Sequence, residues 1–176
     1  MEIRVKGFSF TFTTLLLALF AAQLSGCDGI GPNHNASDAE LRKAMEHVLP
    51  HSISIHPFTG TRTFDEKGGI RGIDVRIEVS DAYGDPTKAF GDFRFEMFAF
   101  VPDSPNPRGQ RIAMWEESLR QDDKNILHWD KITHTYQFKL RWDNPITVGK
   151  KFVMTATYSS PYTPRLFDEH VFIAGQ

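Results

Sequence analysis

Ile73 to Ser80 reads I-D-V-R-I-E-V-S. Ile73, Val75, Ile77 and Val79 take every second position, and Asp74, Arg76, Glu78 and Ser80 take the others. An extended chain therefore puts four aliphatic side chains on one face and four polar ones on the other. A helix would scatter the same residues around its circumference. All four aliphatic residues are β-branched, which favours a strand further.

The same period of two recurs in three more stretches. Phe93, Phe95 and Met97 alternate with Arg94 and Glu96. Tyr136, Phe138, Leu140 and Trp142 alternate with Gln137, Lys139 and Arg141. Phe152, Met154, Ala156 and Tyr158 form the fourth set. Each predicts a strand with one wet face. Shorter candidates are 53–58, 111–116 and 169–174, which brings the expected count to about seven. The connections are rich in turn residues: D-A-Y-G-D-P-T-K-A-F-G at 81–91, D-S-P-N-P-R-G at 103–109 and S-S-P-Y-T-P at 159–164. One-sided alternation with no intervening helices predicts an all-β chain folded as an antiparallel β-sandwich, and parallel α/β architectures are excluded.

Only one helix is expected. Ser37-Asp38-Ala39-Glu40 has the S-x-x-E form of a capping box, Leu41, Ala44, Met45 and Val48 follow at helical spacing, and Pro50 closes the segment. The helix should span about 38–49, with a solvated face of Arg42, Lys43, Glu46 and His47 and an apolar stripe wide enough to lie on a sheet. From Ser37 to the end, 37–176, the chain reads as a single domain.

Trp142 to Tyr158, W-D-N-P-I-T-V-G-K-K-F-V-M-T-A-T-Y, resembles the strand, glycine turn, strand passage of immunoglobulin-like and transthyretin-like sandwiches. Gly149 stands at the corner and Phe152 where an aromatic anchors the second strand. The resemblance covers these residues alone and implies a sandwich of either kind, with no function attached.

The amino-terminal region reads as an address. Arg4 and Lys6 precede a run from Phe8 to Ala22 that is apolar except for Ser9, Thr11, Thr13 and Thr14, the layout of a signal peptide. The run is shorter than the roughly 20 residues that span a bilayer. Leu24-Ser25-Gly26-Cys27 follows, and it resembles the lipobox of bacterial lipoproteins. That resemblance implies removal of residues 1–26, a diacylglycerol on the Cys27 sulfur and an acyl chain on the new amino group. Two or three chains anchor a protein stably, where one holds it marginally. Cys27 is the only cysteine in the sequence, so no intrachain disulfide competes for it. Asp28 resembles the residue that retains such proteins in the inner membrane of enteric bacteria. Cys27 and the residues to Ala36, rich in Gly, Asn and Pro, read as a flexible tether of roughly 15 to 18 Å average span. The expected location is the cell membrane, lipid-anchored, facing the periplasm or exterior.

The charge balance narrows the partners. With 20 Lys+Arg against 22 Asp+Glu and a pI near 6.4, no basic face is broad enough for a polyanion, so nucleic acid is not an expected partner. Removing Arg4, Lys6 and Glu2 with the leader leaves 18 basic and 21 acidic side chains. No G-x-S-x-G, H-E-x-x-H, P-loop or dinucleotide fingerprint occurs, so neither an enzyme nor a cofactor is expected.

Four further groups are candidates for contacts. Phe98 and Phe100 share the parity of Arg94 and Glu96, which puts two large apolar groups on the wet side of their strand. The amphipathic helix covers them, or they form an interaction surface for an envelope protein. Asp81, Asp85 and Asp92 flank one loop and are candidate oxygen ligands for calcium, although turn chemistry accounts for Gly84-Asp85-Pro86 as well. Trp115 and Trp129 are candidates for stacking on a glycan or for core packing. His47, His51 and His56 lie close in sequence but fit no zinc spacing, and they read as solvated or capping. The expected role is non-catalytic binding or assembly in the envelope, with a glycan- or metal-binding module as the alternative.

Overall fold

The computed structural model describes residues 37–68 and 71–175. The leader, Cys27, Asp28 and the tether to Ala36 lie outside the described residues. The rest is one compact unit, Asp38–Gln176, built as two antiparallel sheets.

Its elements are α1 (Asp38–Met45), β1 (Ser52–Ile55), β2 (Gly60–Thr63), β3 (Arg71–Ser80), β4 (Asp92–Phe100), β5 (Arg108–Ser118), α2 (Asp122–His128), β6 (Trp129–Asp130), β7 (Thr135–Arg141), β8 (Lys151–Ser159) and β9 (Leu166–Ile173). The first sheet runs β1-β3-β7-β6, with β2 also paired to β3, and the second runs β5-β4-β8-β9. The two sheets face each other as an antiparallel β-sandwich.

The alternating residues do what their period requires. Ile73, Val75, Ile77 and Val79 are fully buried from the first sheet, as are Phe93, Phe95 and Met97 from the second. Phe95 and Phe138 meet across the core with ring centroids 4.9 Å apart, and Phe93 meets Tyr158 at 5.0 Å. Such tilted aromatic pairs contribute about 0.5–1.5 kcal/mol beyond the area they bury. Trp142 is half-buried and packs edge-on against Phe152 at 6.0 Å.

Three expectations need correction. Nine strands occur among the described residues, because the short β2 and β6 join the seven. A second helix, α2, intervenes between β5 and β6 with none of its residues buried. The first helix ends at Met45, and a turn in which Val48 and Leu49 N–H groups return to the Met45 carbonyl completes the segment. Its apolar stripe does not lie on a sheet, since Leu41 and Val48 are exposed.

The sandwich has two distinct ends. At one, β3 ends at Ser80 opposite Ser52, where β1 begins, while β4 begins at Asp92 opposite Ser118 and Ser159, where β5 and β8 end. This entry end collects α1, the 81–91 loop, α2, the 131–134 turn and the 160–165 loop. One hydrogen-bond network fastens the 81–91 loop and α2 to β7. The Ala89 N–H donates to the Tyr136 hydroxyl at 3.0 Å, Tyr136 donates to Asn125 Oδ1 at 2.8 Å, and Asn125 Nδ2 donates to the Ala89 and Leu119 carbonyls at 2.6 and 3.1 Å. Tyr158 does the same for Phe90, donating to its carbonyl and accepting from its N–H. Burial pushes the pKa of both phenols up, so they remain protonated donors.

Candidate functional site

The outward face of the second sheet carries the sequence-predicted contact residues Phe98 and Phe100. Strand pairing sets its composition: Phe98 stands opposite Val153, Val153 opposite Val171, and Thr157 opposite Phe167. Phe98, Val153 and Val171 form an apolar row on the side where polar residues would be expected, and the row of Glu96, Thr155 and Glu169 separates it from Phe167. Val153 is fully buried within it, while Phe98 and Phe100 are half-buried. No helix provides that cover. Arg108 reaches from β5 across the face to Glu169 on β9, at 3.3 Å, and its guanidinium lies 5.7 Å from the centre of the Phe167 ring. Lys151 Nζ lies 5.4 Å from the centre of the Phe100 ring. The β4–β5 pairing slips on both sides of Phe98, so β5 curls at this point. Met114 at the β5 edge and Phe167 and Val171 at the β9 edge remain exposed.

Towards the entry end the same face turns polar. A groove of about 600 Å³ is lined by Asp92, Arg94, Glu96, Glu116, Thr157, Ser159 and Arg165 among others. Three of its carboxylates are engaged by guanidinium groups: Glu116 by Arg94 at 2.8 Å, Glu96 by Arg111 at 2.6 Å, and Asp92 by Arg120 at 2.7 Å. The Arg120 hydrogen bonds, helped by Ser118, hold the Asp92 carboxyl below the usual carboxylate range despite the opposing effect of burial. The groove therefore presents fixed ion pairs, suited to hydrogen bonding a polar ligand.

The remaining candidates are dispersed. Asp81 Oδ1 accepts from the N–H groups of Tyr83 and Asp85 at 2.8 and 3.1 Å and so closes its own turn. Asp92 is committed to Arg120, and the three aspartates do not converge. Trp115 faces the interior opposite Phe95 and donates Nε1–H to the Arg141 carbonyl at 2.9 Å. Trp129 packs edge-on against Tyr136 at 5.0 Å, with Lys88 Nζ 4.2 Å from its ring centre and His134 stacked at 6.2 Å. Arg141 and Tyr136 lie five residues apart on β7, about 17 Å of strand, so the two indoles form no common platform. His47 bonds Tyr83, with Nδ1 and the phenol oxygen 2.6 Å apart, and the His56 ring lies tilted against Phe58 at 4.9 Å. Among the described residues no three His, Cys, Asp or Glu side chains are grouped to hold a metal ion.

One site escaped the sequence reading. The free edges of β1 and β9 meet along one side of the sandwich, and Asp168 of β9 accepts the Ile55 N–H of β1 at 2.7 Å. Gly175 N–H donates to Thr61 Oγ1 at 2.8 Å and extends the seam. No local pattern marks such a contact, because its partners are more than a hundred residues apart. No family model matches the chain, and no curated protein or solved structure does so either.

Proposed function

We propose that the protein is a cell-envelope lipoprotein, anchored through lipid on Cys27, whose sandwich has a non-catalytic binding or assembly role. The observation that carries the anchor is Leu24-Ser25-Gly26-Cys27 at the end of a short apolar run, with no second cysteine in the chain. No helix among the described residues is long and apolar enough to cross a membrane. In this reading the lipid on Cys27 is the membrane attachment, and Asp28 favours the inner membrane.

The contact face is the outward side of the second sheet. The apolar zone around Phe98 and Phe100, with Val171 beside it, supports a protein partner in the envelope. The polar groove next to it supports the second reading, a glycan-binding module, because fixed ion pairs beside aromatic rings suit sugar hydroxyls and sugar faces.

The test is mild crosslinking of the native protein in cells, extraction in detergent and mass spectrometry of what co-purifies, beside a Cys27→Ala control. An acylated Cys27 peptide and a stoichiometric envelope protein that is lost or weakened in the control are the expected results. Phe98→Asp with Phe100→Asp should abolish that co-purification while the protein stays folded. Intact co-purification in the double variant would overturn the placement of the face. Recovery of the protein alone, together with retention on cell-wall polysaccharide, would favour the second reading.

A further inference from the structure

We infer that the entry end of the sandwich is a membrane-contacting surface, and that the lipid bilayer is its partner. The inference rests on the lipid anchor proposed above and adds an orientation to it.

Exposed apolar side chains gather at this end from four separate segments. Ile132 at the tip of the 131–134 turn is 91% exposed, Leu127 of α2 is 74% exposed and Ile126 beside it 65%. Tyr83 in the 81–91 loop is 68% exposed, and Phe90 and Tyr162 pair from two loops with ring centroids 5.9 Å apart. They sit on α2, a turn and two loops, where burying them within the domain would require another layer of protein. A bilayer is a partner extensive enough to receive side chains that are spread over one whole end.

Chain connectivity selects which partner that is. The turn that follows α1 is fixed at this same end: Tyr83 holds His47, and Thr87 Oγ1 donates to the Val48 carbonyl at 2.6 Å. The nine residues between Cys27 and Ser37 lie outside the described residues, and their composition predicts a span of roughly 15 to 18 Å on average. Strands of nine and ten residues make the sandwich roughly 30 Å from end to end. A lipid at Cys27 thus holds the entry end against the membrane and leaves the opposite end, with the 142–150 loop, facing away.

The charges at this end are compatible with a headgroup layer. Lys88 lies over the Trp129 ring, and Lys131 is near enough to lower its pKa, secondary to burial. Lysine and tryptophan both place an apolar body beside lipid and a polar tip in water. The nearby carboxylates are largely occupied: Asp81 and Asp130 cap their own turns, and Asp92 pairs with Arg120. Asp122 and Asp123 open α2 and keep its first turn in water. The contact therefore depends on apolar insertion more than on anionic lipid.

The test uses full-length lipidated protein in vesicles of equal parts phosphatidylethanolamine and phosphatidylglycerol that carry an acyl-chain nitroxide. A polarity-sensitive fluorophore is placed on one introduced thiol, Ile132→Cys in one preparation and Val148→Cys in the other. Val148 is 78% exposed at the opposite end, so both sites tolerate the label. The native Cys27 thiol is occupied by lipid. Quenching at position 132 should exceed that at 148 by roughly twofold or more, since interfacial side chains sit about 5–10 Å into the headgroup boundary. Equal quenching, with acylated Cys27 in the mass spectrum, would overturn the orientation and leave the anchor intact. A free Cys27 thiol in the mass spectrum would remove the anchor, and the inference with it.

Discussion

Asn125 holds three parts of the chain together through one amide. Its side chain bonds Tyr136 on β7, the Leu119 carbonyl after β5 and the Ala89 carbonyl in the loop before β4. Replacing it with Ala leaves buried carbonyls and a phenol short of partners, which costs about 1–3 kcal/mol for an unsatisfied group. Tyr136→Phe should cost a similar amount, and the double variant less than the sum, because both act in one network. Urea denaturation of the three variants measures this. Gly91 imposes a different constraint: a Cβ there would lie 2.3 Å from the Ser159 carbonyl oxygen and 2.8 Å from the Tyr158 ring. Gly91→Ala should therefore destabilise the fold by about 1–3 kcal/mol, the usual range for overpacking, with a lower urea midpoint. Nothing in the sequence sets Asn125 apart from other loop asparagines, because its role depends on three segments that only the fold brings together. Phe98 and Phe100 could be placed on the outward face from parity alone, but the Arg108 and Lys151 side chains that lie over their neighbourhood could not.

At the scale of elements, legibility followed length and periodicity. Strands β3, β4, β7 and β8 could be read directly because each contributes at least three alternating apolar residues to the buried face. The four-residue β2 contains Gly60, Thr61, Arg62 and Thr63, with no apolar side chain to reveal a period. Helix α2 places Ile126 beside Leu127 and buries neither, so no amphipathic stripe exists to be read. The seam between β1 and β9 was invisible in sequence, yet it carries a pH response. His170 lies on the inward parity of β9, and its pKa is lowered, first by burial and then by His56, while Asp168 opposes the shift. Below the ordinary imidazole value the unfolded chain takes up a proton that the folded chain resists. This contribution is thus present above that value and is lost as pH falls towards the lower folded value. Thermal melts from about pH 7.5 to about pH 5 should show declining stability, and His170→Gln should flatten that slope without removing it, since other groups titrate as well. An unchanged slope in the variant would exclude His170 as a contributor.

For the molecule as a whole, the core belongs to the two sheets, and α1 is attached from outside. The turn that follows the helix meets the sandwich through the His47–Tyr83 pair and the Thr87–Val48 hydrogen bond, while Leu41 and Val48 remain exposed and Pro50 is the first buried residue after it. A chain that begins at Leu49 keeps the His51 N–H donated to the Ser80 carbonyl at 2.8 Å and the full β1–β3 register. It loses two exposed polar contacts, each contributing about 0.5–1.5 kcal/mol. Its melting temperature should therefore fall by no more than roughly 10 °C relative to the unlipidated full-length protein, with the unfolding transition still cooperative. A larger fall, or failure to fold, would mean that α1 contributes to the core in a way its exposed stripe does not reveal. A small fall would have a functional meaning too. An element that contributes little stability, fixed at the end where the chain enters, serves to position the domain on its anchor. Its apolar residues then join those of the 81–91 loop, α2 and the 131–134 turn on the surface that meets the bilayer.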